Sequence, residues 1–299
     1  MIESLKFITE RSKRDMRALD LKVCVLGLGE VGLPTAKYIL SMGFDVYGYD
    51  ISSAAIKRAK GEGVLEATDI WDEVPPVDVY VICVSTLLKS DVPDLSPVFD
   101  VCEKISQKAN SHSLVSIEST IVPGTSTKIY ENIFNKSINL VHVPHRFWAG
   151  DPVKHGVKQL RVIGAVNQES LNAGIKFYRD MLEIPLHVCP SVEIAEMCKI
   201  AENAYRYVQI AFAEELRMIC ETLGLGFNEV RGACNTKWNT EILEARGGIG
   251  GHCLPKDIQY LSSLTTCNTL LKSAMKVDEE YRKWLLEKGR SRDPLAHAK

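Results

Sequence analysis

A cysteine preceded by four glycines is the position in this sequence best equipped for chemistry. In GGIGGHCLPKD, Gly247, Gly248, Gly250 and Gly251 fall within five residues and Cys253 follows two positions later. Such a density of glycine packs a core poorly and lets backbone approach a ligand. It sets the sulfur at the edge of a site, with Lys256 and Asp257 three and four residues on, on the same side if a helical turn begins there. A nearby cation stabilises thiolate, the form that attacks carbonyl carbon. The other eight cysteines read as core residues. Upstream, Lys199 and Asn203 are four residues apart and Glu196 and Lys199 three, so each pair shares a helix face. That spacing suits a solvated charged face as well as it suits a lysine holding an oxyanion and an asparagine orienting water.

A second chemical signal lies near the N-terminus. VCVLGLGEVGLP places Gly27, Gly29 and Gly32 in G-x-G-x-x-G spacing after an apolar run, with Glu30 and Val31 between the last two. Gly27 permits a tight turn, Gly29 lets backbone approach a pyrophosphate, and Gly32 lets the following helix lie close to the strand, its N-terminus attracting phosphate. Asp50 comes 21 residues after Gly29, where a carboxylate accepts from ribose hydroxyls and opposes a 2′-phosphate. No arginine follows it directly, although Lys57 and Arg58 come soon after, so NAD is expected rather than NADP. The crevice beyond the strand ends points to Ser85, Thr86, Ser119 and above all Thr120 as cofactor neighbours.

These residues need a scaffold, and the pattern supplies one. KVCVLGLG, DVYGYD, VDVYVICVS, SLVSIEST and INLVHVP read as buried strands separated by amphipathic segments, which means a parallel sheet covered on both faces. Ser191 and Glu193 open a long helical pattern that closes before Gly224, with Ile194, Met197, Cys198, Ala201, Tyr205, Val208, Phe212, Leu216, Ile219 and Leu223 on its apolar side. The expected architecture is α/β: a helical extension over 1–20, a Rossmann-type parallel-sheet domain over 21–188, and an all-α domain built on a long central helix over 189–299. That helix carries more apolar surface than one small domain covers, which predicts a homodimer. With 36 basic and 38 acidic residues and a net charge of −2, the chain offers no field for nucleic acid or an anionic membrane. The absence of a spanning apolar run or signal peptide and the odd, scattered cysteines predict a cytoplasmic protein.

Taken in order, GLGEVGLP, Asp50, CVST with PDLSPV, ESTIVPGT, LRVIGA, KIAENAYR and GGIGGHCLPKD resemble the UDP-glucose/GDP-mannose (nucleotide-sugar) dehydrogenases over most of residues 22–260. The resemblance implies oxidation of a sugar's primary alcohol to a carboxylate, with two NAD and no metal, in polysaccharide biosynthesis. It implies that Cys253 forms a thiohemiacetal and then a thioester, and that Lys199 stabilises oxyanions. Asn203 and Thr120 would hold substrate or water, Gly250 and Gly251 would line the substrate, Lys256 would contact the cofactor, and Asp257 would assist proton transfer. The family's Pro-Glu motif is replaced by Val143-Pro144-His145-Arg146, so either His145 takes over proton transfer or the activity is changed. The chain ends soon after the helical domain, a short form without the family's C-terminal nucleotide-sugar-binding domain. A separate polypeptide would supply that part, or the sugar substrate would be smaller. A two-electron β-hydroxyacid-type dehydrogenase and a non-catalytic NAD-binding homologue are the alternatives, the glycine–cysteine run arguing against the first.

Overall fold

The computed structural model describes residues 21–148 and 150–289, so the helix expected over 1–20 lies outside the described residues. The chain divides into two compact units, one of Met1–Leu87 with Asp94–Cys198, the other of Leu88–Pro93 with Lys199–Lys299.

The first unit is a sheet of β1 (Lys22–Leu26), β2 (Asp45–Tyr49), β3 (Glu66–Thr68), β4 (Val79–Ile82), β7 (Leu114–Ile117), β8 (Asn139–His142), β9 (Arg161–Ala165) and β10 (Leu186–Val188). Their order is β10-β9-β8-β7-β4-β1-β2-β3. Every neighbouring pair is parallel except β8 with β9. Alternate residues of one strand enter opposite cores, which is why these strands read as unbroken apolar runs. Val23 and Val25 join a cluster with Leu33, Ala36 and Ile39 of α1 (Gly32–Ser41) and Ala55 and Ala59 of α2 (Ser53–Gly61). Cys24 and Leu26 instead meet Val98, Val101 and Ile105 of α3 (Ser96–Ser106) and Ile129 of α4 (Thr125–Asn132). This is the expected Rossmann-type layering. After α5 (Gln168–Ile175) the chain widens into a π-helix, Lys176–Met181, which turns two consecutive aromatic residues, Phe177 and Tyr178, into the core.

Helix α6 (Val192–Thr222) is the long helix, and the first unit includes it through Cys198. Its opening turn sits directly on β9, since a Cβ added to Gly164 would stand 2.7 Å from Ser191 O and Val192 Cα. Ser191 Oγ accepts from Ile194 N–H at 3.4 Å, and Gly224 beyond the far end has φ +68°. The face turned inward is not the one the apolar pattern suggested. Val192, Ala195, Ile200, Ala204, Tyr207, Ala211 and Cys220 are buried, together with Glu196 and Glu214, whereas Ile194, Met197, Tyr205, Phe212, Ile219 and Leu223 are exposed. Two stripes share the helical period, and small residues allow the inner one to pack closely.

The second unit continues with α7 (Phe227–Cys234), α8 (Cys253–Ser263) and α9 (Thr269–Glu287). A short hairpin of β5 (Leu87–Lys89) and β6 (Val92–Asp94) turns through Ser90 and Asp91, whose φ values of 52° and 61° suit a two-residue type I′ turn. Among the described residues no helix is long and apolar enough to cross a membrane.

Candidate active site

The glycine turn after β1 has the geometry a pyrophosphate needs. Gly27 has φ +91° and a Cβ there would lie 2.6 Å from Cys83 O; a Cβ on Gly32 would lie 1.7 Å from Gly27 O. Neither position admits a side chain. Gly29 is exposed with nothing within 4 Å of an added Cβ, so open space lies against the backbone where α1 begins, with Glu30 exposed and Val31 as its N-cap residue. Asp50 directly follows β2 and braces the turn: Oδ2 accepts from Leu28 N–H at 2.7 Å and Oδ1 from Ser52 N–H at 2.8 Å. Arg58 donates to Leu28 O at 2.8 Å. An exposed backbone face at a helix N-terminus with a carboxylate beside it fits NAD.

Beyond the ends of β4 and β7, Thr86 Oγ1 donates to Thr120 O at 2.9 Å and Ser119 Oγ to Val84 O at 2.7 Å, while Ser85 is exposed. One residue earlier stands a buried charge that the sequence reading passed over. Glu118 accepts from Arg161 Nη1 at 2.9 Å and from Tyr178 Oη at 2.6 Å, and lies 2.8 Å from His145 Nε2. His145 Nε2 is also 2.8 Å from Thr35 Oγ1, whose hydroxyl donates to Val31 O. Burial pushes the Glu118 carboxyl up, but Arg161, His145 and Tyr178 outweigh it and hold the group at about 2. Burial, and the Glu118 charge after it, push the Tyr178 hydroxyl well above its ordinary value.

In α6, Glu196 is buried and accepts from Gly124 N–H at 2.6 Å and Ser126 N–H at 2.8 Å, closing the N-terminus of α4. Lys199 is half-buried. Asn203 Nδ2 donates to Asp257 Oδ2, and Asp257 Oδ1 accepts from Lys256 Nζ at 2.6 Å. The Lys256 ammonium also lies 4.1 Å from the centroid of the Tyr260 ring. Cys253 is the first residue of α8 and is exposed, as are Gly250, Gly251 and His252. Gly251 has φ +81° and free space around an added Cβ. The expected helical turn therefore begins at the cysteine.

Residues 54–182 match the NAD binding domain of the UDP-glucose/GDP-mannose dehydrogenase family, and residues 193–280 match its central domain. A solved structure of a UDP-D-ManNAc dehydrogenase from Pyrococcus horikoshii superposes with a TM-score of 0.82 at 32% identity, over 91% of this chain and 73% of that one. The chain belongs to the UDP-glucose/GDP-mannose dehydrogenase family. A curated UDP-N-acetyl-D-mannosamine dehydrogenase of the same organism is 34% identical over 81% of this chain and 64% of its own length. The chain thus spans about two thirds of that relative. A 3-hydroxyisobutyrate dehydrogenase from Mycobacterium tuberculosis shares the fold alone, with a TM-score of 0.69 at 17% identity.

Within this family member the expected site residues fall into two sets. Gly27, Gly29, Glu30, Val31, Gly32, Asp50, Ser85, Thr86, Thr120 and His145 belong to the first unit, and Lys199, Asn203, Gly250, Gly251, Cys253, Lys256 and Asp257 to the second. His145, at 5% exposure, is enclosed with Glu118, Arg161 and Thr35. Arg161 and Tyr178 went unnoticed because each lies 43 or more residues from Glu118 in sequence. The usable signals were Glu118 directly after a buried strand and Arg161 opening another.

Proposed function

We propose that this chain oxidises the primary alcohol of a nucleotide-linked sugar to a carboxylate in two successive two-electron steps, with Cys253 as the covalent nucleophile. The observation that carries the reading is an exposed cysteine at the start of α8, delivered by a glycine loop and followed within one turn by an Asp257 carboxylate already gripped by Asn203 and Lys256. A helix N-terminus favours thiolate. NAD would supply the hydride acceptor, one molecule for each stage.

After the first oxidation, the Cys253 sulfur adds to the aldehyde carbon to give a thiohemiacetal, whose carbon is oxidised in turn to a thioester. Water then attacks the thioester, releasing carboxylate and returning the thiol. Lys199 holds the oxyanion that forms at each stage, and Thr120 with Asn203 orients substrate or water. Asp257, which accepts from Asn203 and Lys256, is assigned to proton transfer near Cys253, and Lys256 to the cofactor. His145 is assigned to the Glu118 network. The substrate in the name of the similar P. horikoshii protein, UDP-N-acetyl-D-mannosamine, is the first to test. Two NADH released per molecule consumed is the expected count. One NADH would favour the two-electron β-hydroxyacid chemistry, and none a cofactor-binding protein without catalysis.

The exposed stripe of α6, with Tyr205 at 66% and Phe212 at 55% exposure, supports a homodimer formed through this helix. Analytical sedimentation at micromolar concentration is expected to give twice the chain mass; a single monomer species would refute it.

A further inference from the structure

Beside the glycine loop the second unit holds two buried carboxylates, Asp278 and Glu214, and a half-buried Arg282 that the proposed chemistry does not use. Asp278 of α9 accepts from Ile249 N–H through Oδ1 at 2.7 Å, and through Oδ2 from Tyr207 Oη at 3.1 Å and Arg282 Nε at 3.0 Å. Arg282 in turn donates to Ile249 O. One i,i+4 pair on α9 therefore grips both backbone groups of Ile249, four residues before Cys253. The glycine next to it is shaped by the same grip: Gly248 has φ +97°, and a Cβ there would lie 2.9 Å from both Cγ and Nε of Arg282.

Glu214 of α6 is 0% exposed, and neither of its carboxylate oxygens has a hydrogen-bond partner among the described residues. The charged and titratable groups acting on it are Asp278 and Arg282 from α9 and Tyr207 from its own helix. The segment running up to the glycine loop contributes apolar Ile242, Leu243 and Ala245 to the cluster around neighbouring Ala213. Asp278 and Arg282 cancel one another. A third full charge in that space has no counterion and no donor, so it is tolerated only as the neutral acid.

We propose that Asp278 and Arg282 are positioning residues that fix the loop presenting Cys253, and that they hold it only while Glu214 between α6 and α9 carries its proton. The catalytic meaning of this clamp rests on the reading of Cys253 given above; the clamp itself does not. Burial, and after it the Asp278 charge, raise the Glu214 carboxyl to about 8, Arg282 offsetting part of the rise. A folded value above the unfolded 4.5 means that stability is fully present below 4.5 and is lost as pH rises through about 8. Above that, a second carboxylate competes with Asp278 for Arg282, and Ile249 loses its anchor.

The test uses the whole chain as wild type, Glu214→Gln and Asp278→Ala between pH 6.5 and 9.5. Amide exchange of the peptide containing Ile249, corrected for intrinsic rates, reads the loop; iodoacetamide labelling of the Cys253 peptide reads the thiol. In the wild type, loop protection is expected to fall at least about tenfold above pH 8, and Cys253 labelling to leave a single-thiol curve at the same point. Glu214→Gln should abolish both breaks, and Asp278→Ala should show the unprotected loop at every pH. Identical pH profiles for wild type and Glu214→Gln would overturn the clamp, even if Asp278→Ala fails to fold. A clamp that behaves as expected around a Cys253 dispensable for turnover would overturn the nucleophile instead.

Discussion

Cys253→Ser is expected to separate the two oxidation stages, with NADH release falling from two per substrate towards one and steady-state turnover dropping on the order of 10³-fold or more. The reason lies in what sulfur does twice. As thiolate it attacks the aldehyde, and as a leaving group it departs from the acyl carbon; a serine hydroxyl is rarely ionised at neutral pH and leaves less readily. Cys253 and Cys267 are the exposed cysteines of the chain, whereas burial pushes the thiols of Cys24, Cys83 and Cys102 far from the reactive range. Serine at any other cysteine should therefore alter stability alone. Lys199→Ala should slow both stages together, since each develops negative charge on the same oxygen. Stopped-flow NADH traces with intact-mass detection of the acyl adduct give the result directly. Full activity and a product ratio of two in the serine variant would sink covalent catalysis.

The largest effect on stability is expected at Arg161→Ala. At 1% exposure Arg161 bonds Glu118 and also donates to Val157 O at 2.9 Å, so its removal leaves a buried carboxylate faced by His145, Tyr178 and the Cys83 thiol but by no guanidinium. Breaking one side of such a pair costs about 3–5 kcal/mol, which lowers the melting temperature by roughly 10 °C in a chain of this size. The Glu118 carboxyl is held from 4.5 down to about 2 against its burial, by Arg161 first and then by His145 and Tyr178. The sign of that lowering sets the acid limb: the unfolded chain binds the proton first, so this stability is complete above 4.5 and is lost as pH falls towards 2. Glu118→Gln should flatten that limb, and adding it to Arg161→Ala should recover part of the loss. Thermal melts from pH 2 to 7 give both answers; a drop below about 1 kcal/mol for Arg161→Ala would show that the network bears little weight.

The two motifs legible in the sequence are those whose chemistry is local. Gly27, Gly29 and Gly32 lie within one turn, and Cys253, Lys256 and Asp257 within another, so spacing and flanking context single them out before any tertiary contact is known. β1, β2, β4, β7 and β8 were legible because burial on both faces leaves continuous apolar runs, whereas β3 and β10, at three residues each, fall below that signal. The α6 faces were harder. Glu196 and Glu214 mark the inward side, yet an isolated glutamate on a helix reads as solvated until its partners are known. Those partners, the amides of Gly124 and Ser126 for one and the Asp278–Arg282 pair for the other, are set by tertiary contact.

The closure of α4 by Glu196 also imposes an order on biosynthesis. Gly124 and Ser126 leave the ribosome 72 and 70 residues ahead of the carboxylate that accepts their N–H groups. Until α6 has emerged as far as Glu196, the nascent sheet unit has its described strands in hand and α4 still open at its N-terminus. The last piece needed to finish the cofactor half of the protein is thus encoded inside the helix that begins the other half.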